Sequence, residues 1–471
     1  MRRAKIVCTL GPATDHERVL RALIHAGMDV ARINFSHGTQ QENARRIETV
    51  RRLAAERKRP LAVLQDLSGP KLRVGEFAGG RVHLRAGATF TFTTAEIAGD
   101  ETQVCLAYPD LLKYIKPGER LVLGDGLPEL RVTRVTRTRI EARVTAAGDV
   151  RSQQGFNAPE THLPISAVTE KDLDDLALGI EHGVDWIAMS FVRGPEDLQP
   201  LRDLMRRKRK AIPIISKIER HEAIRHLDAI IAASDGIMVA RGDLGVELPV
   251  DRVPILQKTI IRACNAAGKP VITATQMLES MIQNRRPTRA EVTDIANAIL
   301  DGTDAVMLSG ETAVGKYPVQ AVRMMARVAT QAERAIDFEA IRRRRVETRA
   351  CSPTDAISEA ACSIAEDLGA RVIISSTSSG YTARMVSKNR PRVTILGATD
   401  QVASYRRLAL VWGVYPVLTV RYTDTDQMLA RVIAVAKAAQ WVKKGDVVVV
   451  TAGHPVGVPG HTNLIKVATV A

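Results

Sequence analysis

The sequence predicts an α/β protein: a closed (β/α)8 TIM barrel interrupted by an inserted β-rich domain and followed by a smaller open-sheet α/β domain. Three observations carry that prediction. Short apolar runs bounded by turn residues recur with helical patterns between them, the mark of βα units in a parallel sheet. Between the third and fourth runs the chain departs into residues that alternate apolar and charged. Beyond the cationic stretch IRRRR (341–345) a second series of apolar runs and helical stretches begins. At 471 residues the chain is also too long for one ordinary core, so two or three domains are expected.

Eight runs make up the first series: KIVCTL (5–10), VARINF (30–35), LAVLQDL (61–67), WIAMSF (186–191), IPIISKIE (212–219), GIMVAR (236–241), PVITAT (270–275) and AVMLSG (305–310). Eight βα units suit a closed barrel over residues 1–69 and 167–345. A doubly wound open sheet also takes eight strands, and the count alone does not choose. In the insert, residues 70–166, RVTRVTRTRIEARVTAAGD has the alternation of half-buried antiparallel strands. The last domain, 346–471, is read from RVIISS, RVTILG, YPVLTV and DVVVVTAG.

Composition excludes several classes. No run of 18 apolar residues exists, so a membrane span is not expected. The N-terminus MRRAKIVCTLGPATD lacks the long apolar region and cleavage site of a signal peptide. Five cysteines, odd in number and without a CxxC pair, argue against disulfides and structural zinc and for a reducing, cytoplasmic setting. The formal charge of +15 and the runs RRKRK (206–210) and IRRRR attract anions in general. With few aromatics among them, they read as solvated helix faces and a linker rather than a nucleic-acid surface.

In a barrel, functional groups sit at the carboxyl ends of the strands. Strand two ends in Arg32, Asn34 and Ser36, with His37 next; strand three ends in Asp66. Strand five carries Lys217 and Glu219, two apart and therefore on one side. Strand six runs into Arg241, Gly242 and Asp243, strand seven into Thr275 and Gln276, and strand eight into Ser309 and Glu311. Charges ending apolar strands are costly unless paired or bound. Glu219 and Asp243 suit a Mg²⁺ completed by substrate and water, while Arg32, Arg73 and Lys217 suit a phosphoryl group. A structural Lys217–Glu219 ion pair and an N-capping Asp243 remain the plain alternatives for those residues taken singly.

The segments ARINFSHG (31–38), QDLSGPKLR (65–73), ISKIERHEAI (215–224), SDGIMVARGDLGVELP (234–249), ATQMLESM (274–281) and AVMLSGETAVGKYP (305–318) together resemble the pyruvate kinase family. The resemblance runs from KIVCTLGPAT to the closing HTNLIKV. It implies a cytoplasmic homotetramer of three domains, a barrel, an inserted β-barrel lid and a C-terminal effector domain. Its reaction moves the phosphoryl group of phosphoenolpyruvate to ADP, giving pyruvate and ATP. By the same resemblance Glu219 and Asp243 hold Mg²⁺ or Mn²⁺, and Lys217 stabilises the transferring phosphoryl group and the enolate. Arg32 and Arg73 bind phosphoryl oxygens. Gly242, Asp243 and Thr275 receive the substrate carboxylate. Thr275 and Ser309 are both candidates for protonating the enolate through water. Pro12, Arg32 and His37 fall where the family contacts the nucleotide.

Many family members bind K⁺ at the positions matched by Asn34, Ser36 and Asp66, with the pattern D-T-K-G-P-E. Here the stretch is D-L-S-G-P-K, so Leu67 stands for the Thr and Lys71 for the Glu. An ammonium near Asp66 would supply the charge K⁺ brings, worth roughly 4 kcal/mol at 4 Å and a dielectric near 20. K⁺ independence is therefore expected. In ISSTSSGYTARMV (374–386), Thr377, Ser379, Gly380 and Thr382 match the family's effector phosphate loop, which implies a phosphorylated allosteric effector. GHPVGVPGHTN (453–463) lacks the Trp and Arg of members that answer to fructose 1,6-bisphosphate, leaving a sugar monophosphate or AMP. No phosphohistidine-type extension is expected after it. Two rivals remain: a Mg²⁺-dependent barrel lyase acting on a 2-oxo acid, and a non-catalytic anion- or RNA-binding protein. The lyase needs no insert, and the binding protein predicts eroded strand ends.

Overall fold

The computed structural model describes residues 1–124, 126–161, 163, 165–347, 352–455 and 461–471. Each of the eight predicted runs forms a strand: β1 (Lys5–Leu10), β2 (Val30–Asn34), β3 (Ala62–Asp66), β4 (Trp186–Met189), β5 (Ile214–Ile218), β6 (Gly236–Ala240), β7 (Val271–Ala274) and β8 (Ala305–Leu308). All pair in parallel with their sequence neighbours, and β1 also pairs with β8, so the sheet closes. Closure excludes the doubly wound alternative.

Alternation along these strands divides the core into two layers. Val7, Val30, Leu64, Ile215, Met238 and Ile272 are fully or almost fully buried in the cluster that fills the barrel. Their neighbours Ile6, Ile33, Val63, Ile187, Ile214 and Ile237 join the outer cluster that includes the helices. Thr39, Thr169 and Thr288 each cap a helix, accepting from the third residue on, whose acidic side chain returns the bond. Such boxes satisfy amides that the first turn leaves unpaired and hold the strand ends in register.

The insert lies between β3 and β4 and has its own core around Phe90, Phe92 and Phe156. Its strands make one main sheet and one separate pair. Residues Phe156–Asn157, Arg120–Leu123, Glu129–Val135, Arg139–Ala146, Thr89–Thr93 and Gln103–Cys105 make a six-stranded sheet, and Arg81–Leu84 pairs separately with Gly148–Arg151. Gln103–Cys105 runs parallel to Thr89–Thr93, and residues 72–75 link the two edges of the sheet: the Gly75 amide donates to the Cys105 carbonyl at 2.7 Å on one side and the Phe156 amide to the Leu72 carbonyl at 3.0 Å on the other.

The C-terminal domain is an open five-stranded sheet in the order β11-β10-β9-β12-β13, with β9 (Val372–Ser376), β10 (Thr394–Thr399), β11 (Val414–Leu418), β12 (Val447–Ala452) and β13 (Leu464–Thr469). The last strand, antiparallel and on the edge, is the one the apolar runs did not reveal. Ala409 and Leu410 join the barrel-filling cluster, so this domain stoppers the end of the barrel opposite the strands' carboxyl ends. The IRRRR stretch, expected in part as linker, lies in the helix Phe338–Glu347.

Candidate active site

Register brings the predicted polar residues onto one rim. Asn34 lies beside Asp66, and Thr9 beside Arg32. The Arg32 guanidinium donates from Nε to Asp66 Oδ2 at 2.7 Å and from Nη1 to Thr9 Oγ1 at 2.8 Å. Lys217 Nζ donates to Ser190 Oγ at 2.8 Å and reaches Glu219 Oε1 at 2.8 Å and Asp66 Oδ1 at 3.4 Å. The other oxygen of Glu219 accepts from the Phe191 amide at 2.7 Å. A continuous buried row of charges therefore runs Arg32, Asp66, Lys217, Glu219.

Burial opposes the ionised forms of Asp66, Lys217 and Glu219, but charge partners reverse it at the first two. Burial would raise the Asp66 carboxyl, yet Arg32 and Lys217 hold it below its usual value. Burial would discharge Lys217, yet Asp66 and Glu219 keep its ammonium protonated, with a raised pKa. Glu219 is pushed upward by burial and further by the charge of Asp243. Asp243 itself is exposed, and among the described residues its carboxylate has no side-chain partner.

Asp243 opens onto a cleft of about 780 Å³ between the barrel rim and the insert, lined also by Lys71, Arg73, Phe191, Arg193 and Arg220. Arg193 donates to the carbonyls of Leu163 and Ile165, both at 2.7 Å, and so ties the insert's return to the rim. Arg73 donates to the Gln153 carbonyl at 2.8 Å on the insert side. Gly69 turns the chain into the insert at φ +64, and a Cβ there would stand 2.7 Å from the Phe191 ring.

Lys71 lies near this row but not in it. Its exposed side chain forms no ion pair among the described residues, and the contacts of Asp66 go to Arg32 and Lys217 instead. Desolvation, then the repulsion of Lys217 and Arg73, outweighs the attraction of Asp243 and Asp66, so its ammonium is held below the ordinary lysine pKa. His37 faces the same cations: partial burial, then Lys71, Arg73 and Arg32, hold its imidazole below the usual pKa. Asn34 Oδ1 accepts from the Ser36 amide at 3.1 Å, and Leu67 is buried. Pro12 opens a single 3-10 turn, Pro12–Thr14, just beyond β1.

The remaining rim is set by backbone. Thr275 and Gln276 adopt φ +74 and +57, unusual for non-glycine residues and most of all for a β-branched one. Arg241 holds them there, donating to the carbonyls of Ala274 at 3.1 Å and Thr275 at 2.6 Å while pairing with Asp294 at 2.7 Å. A Cβ on Gly242 would come within 2.9 Å of Thr275 Cγ2. Glu311, fully buried, accepts from the amides of Leu278 at 3.0 Å and Ser309 at 2.7 Å, which locks the ends of β7 and β8 together.

Thr9, Ser190, Phe191 and Glu311 thus belong to the arrangement although only Glu311 was noticed among the strand ends. The rule that located the others, polar residues at carboxyl ends, applies equally to β1 and β4 and points at Thr9 and Ser190. The Phe191 amide carries no side-chain signal. In the C-terminal domain, the Gly380 amide donates to Thr377 Oγ1 at 2.9 Å, Thr382 Oγ1 meets Thr462 Oγ1 at 3.0 Å, and Ser379 is exposed. Residues 456–460 of the adjoining segment 453–463 lie outside the described residues.

The family model described as "Pyruvate kinase, barrel domain" matches residues 1–322, and "Pyruvate kinase, alpha/beta domain" matches residues 355–468. The chain belongs to the pyruvate kinase family. It is similar to the pyruvate kinase of Clostridium acetobutylicum, at 44% identity over 100% of both chains. It is 47% identical to pyruvate kinase 2 of a Synechocystis species, over 100% of this chain and 79% of that one. Against the pyruvate kinase of Geobacillus stearothermophilus the identity is 44%, over 100% of this chain and 81% of the other. Pyruvate kinases as a family require a divalent metal. The rim fits that requirement with two carboxylates, Glu219 and Asp243, close enough to repel one another. No group of three or more His, Cys, Asp or Glu suited to a metal exists among the described residues, so other ligands would come from substrate and water.

Proposed function

We propose that this chain transfers the phosphoryl group of phosphoenolpyruvate to ADP, forming pyruvate and ATP. The observation that carries the reading is the buried row Arg32–Asp66–Lys217–Glu219 beside Asp243 at the mouth of a cationic cleft. A phosphoryl group passing between two oxygens asks for fixed positive charge and exact placement rather than covalent help. Lys217 is held protonated and directed by three oxygens, so it meets the developing charge without reorganising. Arg32 and Arg73 bind the phosphoryl oxygens from the barrel and insert sides, and Pro12, Arg32 and His37 contact the nucleotide. Glu219 and Asp243 would hold the divalent ion, Mg²⁺ or Mn²⁺, which neutralises phosphoryl and enolate oxygens when bound. Gly242, Asp243 and Thr275 receive the substrate carboxylate.

When the bond to the enol oxygen breaks, the pair left on that oxygen makes an enolate, and a proton added at the methylene carbon gives pyruvate. Thr275 and Ser309 are the candidates for relaying that proton through water; the shared Glu311 brace fixes the two strand ends relative to each other. The insert, residues 70–166, closes over the cleft and excludes water, which protects both enolate and phosphoryl group. Lys71 supplies the monovalent charge at Asn34, Ser36, Asp66 and Leu67, making the enzyme K⁺-independent; its ammonium is within electrostatic reach of Asp66. Thr377, Ser379, Gly380 and Thr382 form the phosphate loop of an allosteric effector, in a cytoplasmic homotetramer.

The test is ATP formation from phosphoenolpyruvate and ADP with Mg²⁺ in tetramethylammonium buffer free of K⁺, repeated with K⁺ added. Full activity without K⁺ is expected. Activity only with K⁺ would keep the reaction and remove the role of Lys71; none in either buffer would overturn the reaction.

A further inference from the structure

The seam between the barrel floor and the C-terminal domain holds a cavity of about 470 Å³ that the proposed reaction does not use. Trp186, Pro213 and Asp235 line it beside the starts of β4, β5 and β6, so it lies at the opposite end of the barrel from Lys217. Its charged lining is lopsided. Arg202, Arg206 and Lys210 come from the barrel side and Arg384 and Arg407 from the C-terminal side, against Asp235 alone among the described lining residues. That acid is already engaged, accepting from the Ile214 amide at 2.9 Å with Arg202 at 3.7 Å.

Two of these cations lack the partners their position calls for. Arg384 has neither an ion pair nor a side-chain hydrogen bond among the described residues, and its Nε is buried without a partner. Arg407 donates from one terminal nitrogen to the Ala211 carbonyl at 2.8 Å, but its Nε is also buried and unpartnered. Burial lowers the pKa of both; Asp235 offsets part of it at each and Asp185 also at Arg407, where Arg384 adds its repulsion. Desolvated guanidiniums whose nitrogens lack partners, and which outnumber the acids facing them, are costly in a fold unless a ligand completes them.

We propose that this seam is a binding site for a phosphorylated small molecule. Arg384 and Arg407 take its phosphoryl oxygens from one wall, and Arg206 and Lys210, the ends of the cationic run RRKRK, approach from the other. An excess of four positive charges favours a phosphoryl group over a single carboxylate, and planar guanidinium forks match its oxygens. The ligand also touches Ser379 and Gly380, so its occupancy braces the loop 377–382 against the barrel. The inference is independent of which reaction the opposite rim performs.

Isothermal titration calorimetry of inorganic pyrophosphate into the full chain, without divalent metal, tests it. We expect a binding component that weakens at least tenfold in Arg384→Gln/Arg407→Gln, survives in Arg384→Lys, and is unchanged in Thr382→Val. Arg206→Gln/Lys210→Gln, at exposed positions where folding is not at stake, should weaken the same component severalfold. Pyrophosphate should raise the melting temperature of the wild type and leave that of Arg384→Gln/Arg407→Gln unmoved. Isotherms unchanged in both double variants overturn the proposal. So does a component lost in Thr382→Val but kept in Arg384→Gln/Arg407→Gln, which would assign the anion to the C-terminal loop.

Discussion

At the scale of single residues, Lys217 is the side chain whose environment is most fully specified. Ser190, Glu219 and Asp66 surround its ammonium, and all three are buried. Replacing it with Met keeps the length and apolar stem but removes charge that matters only as charge develops on the reacting oxygens. Lys217→Met is expected to lower kcat by roughly 10²- to 10³-fold, the usual cost of losing one preorganised donor, with little change in KM for phosphoenolpyruvate. Steady-state kinetics separates the two. Gly242→Ala should behave differently: its Cβ would stand 2.9 Å from Thr275 Cγ2, so one side must shift. A severalfold rise in KM with a near-normal melting temperature is expected there. The pair Lys217 and Glu219 was legible in the sequence because two residues apart on a strand share a side. The Phe191 amide, which takes half of Glu219, was not: it depends on a positive φ of +57 that only the packed structure reveals. Lys71 shows the reverse limit, a residue conspicuous in sequence whose contact with Asp66 is taken by Arg32 and Lys217.

At the scale of elements, the barrel strands were readable because a buried parallel strand is a compact apolar run with turn residues at its ends. The insert was readable as strands but not as an arrangement. Alternation fixes which face of a strand is buried; it does not say which edges meet, and here residues 72–75 bridge the two edges of the sheet. The antiparallel β13 escaped because its burial pattern is mostly partial or exposed, leaving little apolar periodicity to see. Beyond the backbone pairing of β6 and β7, a side chain ties their carboxyl ends. Arg241 spans the two strand ends and reaches Asp294 on the helix Arg289–Asp301, holding Thr275 in its strained conformation. Strain of this kind persists only where neighbours over-determine it. Arg241→Met is therefore expected to let Thr275 relax and to lower kcat/KM by roughly 10- to 100-fold, since small misplacements near reacting atoms carry such penalties. Both kcat and KM should move, and Arg241→Lys, which cannot reach both carbonyls and Asp294 together, should restore only part. Unchanged kinetics in Arg241→Met would reduce the clamp to a packing feature.

At the scale of the whole molecule, the barrel and the C-terminal domain are joined through buried charge as well as apolar contact. Arg390 pairs with Asp304 at 3.1 Å and stacks 4.8 Å from the Trp412 ring. Lys5, 4% exposed at the start of β1, donates to the Val414 carbonyl at 2.6 Å and lies 4.7 Å from the Tyr415 ring. Burial lowers the Lys5 pKa from 10.5 to about 8, Asp29 and Glu333 offsetting only part of that. Below about pH 8 both folded and unfolded chains carry this proton, and the cost of burying the charge is present in full. Between about 8 and 10.5 the unfolded chain binds the proton and the folded chain does not, so folding stability rises with pH across that window. Each pKa unit is about 1.4 kcal/mol, which places the gain at roughly 3 kcal/mol. Lys5→Met removes this titration but also strands the Val414 carbonyl, a loss of about 1–3 kcal/mol that does not vary with pH. The discriminating quantity is thus the slope and not the absolute stability. Denaturant unfolding followed at pH 7.5 and pH 10 should show the wild type gaining on Lys5→Met by one to three kcal/mol, roughly as the linkage requires. Parallel pH profiles in the two proteins would mean that Lys5 keeps its ordinary pKa, and that Val414 and Tyr415 hold a fully charged ammonium at the join between domains.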